Sequence, residues 1–253
     1  ISKLVETETK VKKWKMITMH GKQLADVNIR QLTQWNEKDQ QMLDMLSEAN
    51  RKMKPPSYDL MQRIKSALRQ PTKSWFTSFL RCKGVETLIG SLFIRLNRIP
   101  MSHLDAVITL SLLDCFKFMM KDPFGMQKIV ETENAVLSIA LALNFEWERI
   151  ALGVIEILSV VCYSSDEGHA LVLKSLDVLW RKRIESPFVS WVEAVEKKGG
   201  SVKLEVMTLV NTLINNAKDI DDRVKIRNSL NSLGVVEILN DVIRMGPQEL
   251  LDD

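Results

Sequence analysis

The chain has 253 residues, 45% of them hydrophobic and 26% charged, with a formal net charge of +3. That is enough apolar material for a substantial core and too little excess of base to argue for nucleic acid. No run approaches the ~18–20 apolar residues that a membrane-spanning helix needs, and the opening ISKLVETETKVKKW has no apolar leader core, so a soluble, cytoplasmic protein is expected.

Ten glycines and seven prolines are few for this length, and the abundance of Leu, Ile, Val, Lys and Glu favours helices. Cys82, Cys115 and Cys162 lie far apart in apolar helical contexts, and an odd number cannot all pair. They are expected to be buried, reduced thiols. The chain begins at Ile1 and stops in acidic sequence, as expected of a piece of something longer.

Residues 1–22 lack a sustained period and read as an arm. Within it Lys10, Lys12, Lys13, Lys15 and Lys22 run with no acid between them. Such a run is either a solvated arm or a docking element for an acidic partner. Residues 23–54 carry apolar positions at helical spacing, such as Met42 with Met45 and Leu43 with Leu46, until Pro55-Pro56 ends the pattern. Short helices and a linker are expected there, with too little apolar surface to fold alone.

From Tyr58 the pattern repeats. GVETLIGSLFIRL from Gly84 and ENAVLSIALAL from Glu133 are each followed by a more apolar helix, LDAVITLSLLDCFKFMM from Leu104 and RIALGVIEILSVVCYS from Arg149. SVKLEVMTLVNTLINNA from Ser201 is a third of the apolar type, and LGVVEILNDVIRM restarts the first type near Leu233. A recurrence of roughly 45–50 residues is slightly above the ~40–47 of armadillo and HEAT units. Helices apolar nearly all round are what stacking predicts, because each repeat hides its faces against two neighbours. The expected fold is therefore all-α, an armadillo-repeat superhelical solenoid of about five repeats. KDPFG at 121–125, YSSDEGH at 163–169 and KKGGS at 197–201 read as breaks between helices.

Enzyme signatures are missing. The sequence has no phosphate-binding glycine loop, no His-Glu-x-x-His, no Cys-x-x-Cys and no Gly-x-Ser-x-Gly. The paired acids Asp221-Asp222 and Glu131/Glu133 read as solvated faces or helix caps. No catalysis, cofactor or metal is expected. Residues 55–253 are close to neutral, against a basic stripe for nucleic acid. A generic adaptor holding a peptide in its groove remains an alternative, although Asn211, Asn215 and Asn216 cluster in one repeat instead of recurring along several.

Three stretches together resemble the N-terminal regulatory region of diaphanous-related formins. They are FKFMMKDPFGMQKIVETENAV at 116–136, DIDDRVKIRNSLNSLGVVEIL from Asp219, and IKSALRQPTKSW with its Ser74-Trp75. The resemblance covers about residues 58–245, and residues 1–57 stand where that family keeps its GTPase-binding subdomain. Read from the residues alone, Phe124, Ile129 and Val136 are core, and Arg223 and Arg227, one turn apart, make helix-surface ion pairs.

The resemblance implies two domains, a small helical GTPase-binding subdomain over 1–57 and an armadillo-repeat inhibitory domain over 58–253. It implies a regulatory region of an actin-nucleating formin, with a GTP-bound Rho-family GTPase as partner and a helical dimerisation element downstream. Cytoplasmic location at the actin cytoskeleton follows, with actin reached only through the rest of the full-length chain and no membrane insertion. The GTPase would meet Lys22, Leu43, Leu46, Arg69, Gln70 and Lys121. The chain's own C-terminal autoregulatory helix would occupy a groove lined by Ser66, Gln70, Lys121, Val160 and Tyr163, each of which departs from the residue common in relatives. Val160 is read either as groove lining or as core.

Overall fold

The computed structural model describes residues 57–98 and 100–234. Among them every regular element is a helix, and none is long and apolar enough to cross a membrane. The residues divide into two compact units, one ending at Ile94 and the other beginning at Arg95.

The first unit opens with α1 (Tyr58–Arg69), whose N-cap Ser57 accepts the Leu60 N–H at 3.3 Å. Leu60, Met61, Ile64 and Leu68 recur at helical spacing and are buried. Pro71 then bars continuation, and Thr72 caps α2 (Lys73–Arg81) by accepting the Trp75 N–H. Trp75 and Phe79 stack on the buried side of α2 with ring centroids 5.2 Å apart. Helix α3 (Gly84–Leu96) starts under the Phe79 ring, where a Cβ on Gly84 would stand 2.4 Å from a ring carbon. Gly234, which shares the Gly-Val opening, is glycine for another reason: its φ is +78°.

The second unit holds α4 (His103–Met119), α5 (Pro123–Glu131), α6 (Ala135–Leu141), α7 (Glu148–Ser164), α8 (Asp166–Arg183), α9 (Val189–Lys197), α10 (Gly200–Asn215) and α11 (Ile220–Asn231). The repeating unit has three helices where the apolar pattern showed two. The triplet α5–α6–α7 is followed by α8–α9–α10, and α11 begins another unit. The apolar third helices lie side by side, α4 on α7 and α7 on α10, while α8 backs α6 and α7. Ile150, Val154, Ile155, Ile157, Leu158, Val161 and Cys162 of α7 are all buried.

Close approach between these helices depends on small residues. A Cβ on Gly153 would stand 3.2 Å from Leu113 Cδ1 on α4, and one on Gly168 would stand 2.2 Å from the Val161 carbonyl oxygen. The second contact is with backbone, so the α7–α8 corner tolerates no side chain there. The breaks use the polar residues the sequence places in them. Asp122 caps α5 ahead of Pro123, Ser165 caps α8, and Asp219 caps α11. His169 of α8 donates its Nε2–H to the Leu213 carbonyl of α10 at 2.9 Å, satisfying a buried imidazole.

Three expectations are corrected. Phe124 is exposed, because it follows Pro123 in the first turn of α5 and faces away from buried Gly125 and Ile129. Among the described residues neither Arg223 nor Arg227 makes an ion pair; the Arg223 Nε–H donates to the Ala217 carbonyl at 2.7 Å. No disulfide links the cysteines, yet Cys82 at the end of α2 is only half-buried, whereas Cys115 and Cys162 are buried.

The start of α4 carries the main buried charge of this unit. Asp105 closes a capping box with Ser102 and accepts from Arg95 at 2.8 Å and Arg98 at 3.0 Å. The Ser102 hydroxyl first, and Arg95 second, lower the Asp105 pKa from 3.8 to about 2. Its folded pKa lies below the unfolded value, so its stabilisation is complete above about pH 4 and disappears as pH falls towards 2. Asp105→Ala removes the Asp105 half of the capping box, leaving the Ser102 cap, and strands the buried Arg95 guanidinium, for an expected loss of about 3 kcal/mol in urea denaturation at pH 7. The gap between variant and wild type should shrink on titration from pH 4 to pH 2; a gap constant over that range would contradict the assignment.

Candidate functional site

With α4, α7 and α10 packed flank to flank and α8 behind α7, one side of the row is left uncovered in the second unit. Exposed apolar side chains on these three helices are Leu104 and Val107 of α4, Val160 and Tyr163 of α7, and Leu204 of α10. Val160 is 43% exposed and Tyr163 78% exposed, whereas Val161 between them is fully buried. Val160 is thus a surface residue of α7. The exposed positions of α10 continue with Thr208, Asn211 and Asn215, the last donating to the Asn211 side chain at 2.9 Å.

A row of charge crosses the same three helices. The Lys117 ammonium of α4 pairs with the Glu156 carboxylate of α7. Glu205 of α10 lies close enough to feel both: burial raises its pKa, Glu156 raises it further, and Lys117 acts against them. Lys121, in the turn after α4, is exposed and holds its ammonium 5.1 Å from the centre of the Phe118 ring.

The other sequence candidates fall elsewhere. Ser66 and Gln70, one turn apart, are exposed on α1 and its C-cap in the first unit, with exposed Arg69 between them in the chain. Lys22, Leu43 and Leu46 lie outside the described residues. Lys121, Val160 and Tyr163 share the second unit. Sequence reading missed Lys117, Glu156, Leu204 and Glu205. A signal for two of them was available, because Glu156 precedes Val160 and Lys117 precedes Lys121 by four residues, the spacing of one helix face. The Lys117–Glu156 pairing spans 39 residues, which no local pattern carries. Among the described residues no group of side chains could hold a metal ion.

Two family models match. Residues 3–163 match the Diaphanous GTPase-binding Domain, and residues 107–238 match the FHOD1/3 FH3 domain. The chain belongs to the Diaphanous GTPase-binding Domain family, as the N-terminal regulatory region of a diaphanous-related formin. That region is a regulatory, non-enzymatic one. Among similar proteins, Formin-D of Dictyostelium discoideum is 26% identical over 188 residues, 74% of this chain and 16% of that protein. Inverted formin-2 of Xenopus laevis is 24% identical over 191 residues, and human Protein diaphanous homolog 2 is 22% identical over 192, each covering 17% of the relative. The chain thus spans about a sixth of the length of these relatives. Its backbone is similar to that of E. histolytica Formin1, solved bound to EhRho1-GTPgammaS, with a TM-score of 0.69 over 99% of this chain and 83% of that one at 16% identity. That likeness bears out the all-α, armadillo-type fold.

The contrast between adjacent valines can be tested directly. Val160→Asp puts a charge in water and should shift the melting temperature by no more than about 2 °C. Val161→Asp buries an unpaired charge and should lower it by about 10 °C or more, or prevent folding. Equal destabilisation by both in thermal circular dichroism would mean that the exposed stripe of α7 is assigned wrongly.

Proposed function

We propose that this chain is the regulatory end of an actin-assembling formin, and that it binds a GTP-loaded Rho-family GTPase. The observation that carries the reading is the GTPase-binding family match over residues 3–163, in a chain whose backbone likeness to a formin solved with a Rho protein extends over 99% of its length. Residues 1–57 act as the GTPase-binding arm and residues 58–253 as the repeat domain. The GTPase docks on Lys22, Leu43 and Leu46 of the arm together with Arg69, Gln70 and Lys121. Apolar anchors supply most of the affinity, and the lysines at 10, 12, 13, 15 and 22 speed encounter with an acidic partner.

The second part of the proposal concerns the uncovered inner-helix face. Exposed aliphatic side chains on neighbouring helices suit an amphipathic helix laid across them. The occupant we propose is a C-terminal helix of the same full-length protein, resting on Val160 and Tyr163, with Lys121 and the α1 residues Ser66 and Gln70 also in contact. A GTPase that shares Gln70 and Lys121 with this helix competes with it, which couples Rho signalling to release of the formin at the actin cytoskeleton. The chain then works in the cytoplasm, and actin is reached through the remainder of the protein.

Nucleotide dependence is the first test. At least one Rho-family protein should bind the chain at micromolar or tighter Kd, about −8 kcal/mol, when loaded with a GTP analogue, and at least tenfold more weakly with GDP. Equal affinity in both states across a full panel would end the effector reading.

Removing residues 1–57 should weaken that binding at least tenfold, about 1.4 kcal/mol, and leave the helical circular dichroism of the repeats in place. Loss of the helical signal would mean that the arm belongs to the core. Changing Lys10, Lys12, Lys13 and Lys15 to neutral residues should slow association and flatten its salt dependence, with dissociation little altered.

A further inference from the structure

The connection between α8 and α9 presents a hydroxyl that the fold leaves unused. Hydroxyls between helices elsewhere are committed. Among the described residues, Ser57, Thr72, Ser102 and Ser165 accept helix N–H groups, and Thr132 and Ser232 donate to carbonyls about one turn back. Ser186 is exposed, and its hydroxyl has no hydrogen-bond partner among the described residues. Pro187 follows it, and of the seven prolines in the sequence this one alone comes after a serine or threonine.

Both ends of the segment are anchored. Helix α8 stops where Ile184 takes a left-handed φ of +57°, and the Ile184 and Glu185 N–H groups return to the Arg181 and Trp180 carbonyls. Helix α9 starts from Phe188, itself left-handed at φ +67°. Trp180, Phe188 and Trp191 are buried and pack ring to ring, with centroids 4.8 to 6.1 Å apart. Glu185, Ser186 and Pro187 thus bridge two fixed points and belong to neither helix.

That placement selects among modifying enzymes. A serine in an exposed connection can enter an active-site cleft, whereas one within a helix is flanked by the turns above and below it. An enzyme that reads the Ser-Pro pair needs only residues 186 and 187, both outside the helices. An enzyme that reads upstream arginines needs Arg181 and Arg183, which lie in the last turn of α8 and are engaged, Arg181 with Asp177 and Arg183 with the Leu143 carbonyl.

We propose that Ser186 is a phosphorylation site, modified by a proline-directed protein kinase with ATP as the donor. The Ser186 Oγ attacks the γ-phosphorus. The Oγ–P bond forms as the bond to the β,γ-bridging oxygen breaks, ADP leaves with that electron pair, and the hydroxyl proton passes to the kinase's catalytic carboxylate. The product brings a charge of about −2. Arg181, Lys182 and Arg183 precede it, against the single acid Glu185, so the folded corner accommodates the added charge. The site lies at the end of α8, which backs α7, and it rests on no reading of the uncovered inner-helix face.

The test treats the whole 253-residue chain with ATP and a cyclin-dependent kinase of proven activity on a model Ser-Pro peptide, and maps phosphate by mass spectrometry. Ser186 should be the main acceptor, and Ser186→Ala should abolish that labelling. Pro187→Ala should slow incorporation at least about tenfold, because the enzyme's apolar pocket for the proline ring is left unfilled. An arginine-directed kinase should label Ser186 more slowly than the proline-directed one. That comparison on the wild-type chain is the deciding measurement if Pro187→Ala loses helical circular dichroism. Phosphate on other residues with Ser186 bare, or no incorporation at all, would overturn the site. Labelling of Ser186 that is indifferent to Pro187→Ala, or faster with the arginine-directed kinase, would overturn the class of enzyme proposed.

Discussion

Helix α7 has α4 on one flank, α10 on the other and α8 across its back, and the rest of the second unit follows from what that burial demands. A helix enclosed on three sides must be apolar on three sides, which is why Ile150 to Cys162 supplies one buried aliphatic residue after another. It must also let its neighbours come close. Gly153 and Gly168 meet that need at two different places, one against the Leu113 side chain and one against the Val161 carbonyl.

The same enclosure leaves one face of the helix open. Stacking covers every side of α7 except the one that looks away from α8, and a fourth layer would be needed to cover that. What remains there is a short series of residues, Glu156, Val160 and Tyr163, set among buried ones by helical spacing alone. Exposed valine and tyrosine on the open side of a largely buried helix are the side chains that the proposed docking of a partner would cover.

Charge on this face is disposed by contacts between repeats. Lys117 and Glu156 belong to consecutive stacked helices, and Glu205 to the next. No two of the three are neighbours in the chain, so their balance of one cation to two anions is a property of the stack. The charge at the head of α4 behaves differently. Ser102 and Asp105 form their capping box within one turn, and Arg95 and Arg98 arrive from a few residues upstream. Local chemistry builds that network at the N-terminal end of the first of the stacked helices.

Much of this architecture was legible in the residues. Helical character, the recurrence of apolar helices, the breaks at Pro123, Ser165 and Asp219, and the formin resemblance all rest on local patterns, because caps, prolines and helix faces act over one to four residues. The outer helices were harder to divide. Lys73–Arg81, Pro123–Glu131 and Asp166–Arg183 carry mixed polar faces, so the units read as helix pairs although each holds three helices. Burial was misjudged where direction mattered: Phe124 is apolar, but it projects from the first turn of α5 on the side away from Ile129. The sequence by itself therefore determined the helices, their order and the kind of scaffold they build. The tertiary structure alone decided that Val160 is open while Val161 is closed, and that Glu205 lies beside an already paired lysine, because those properties depend on which helices stack on which, across separations of tens of residues.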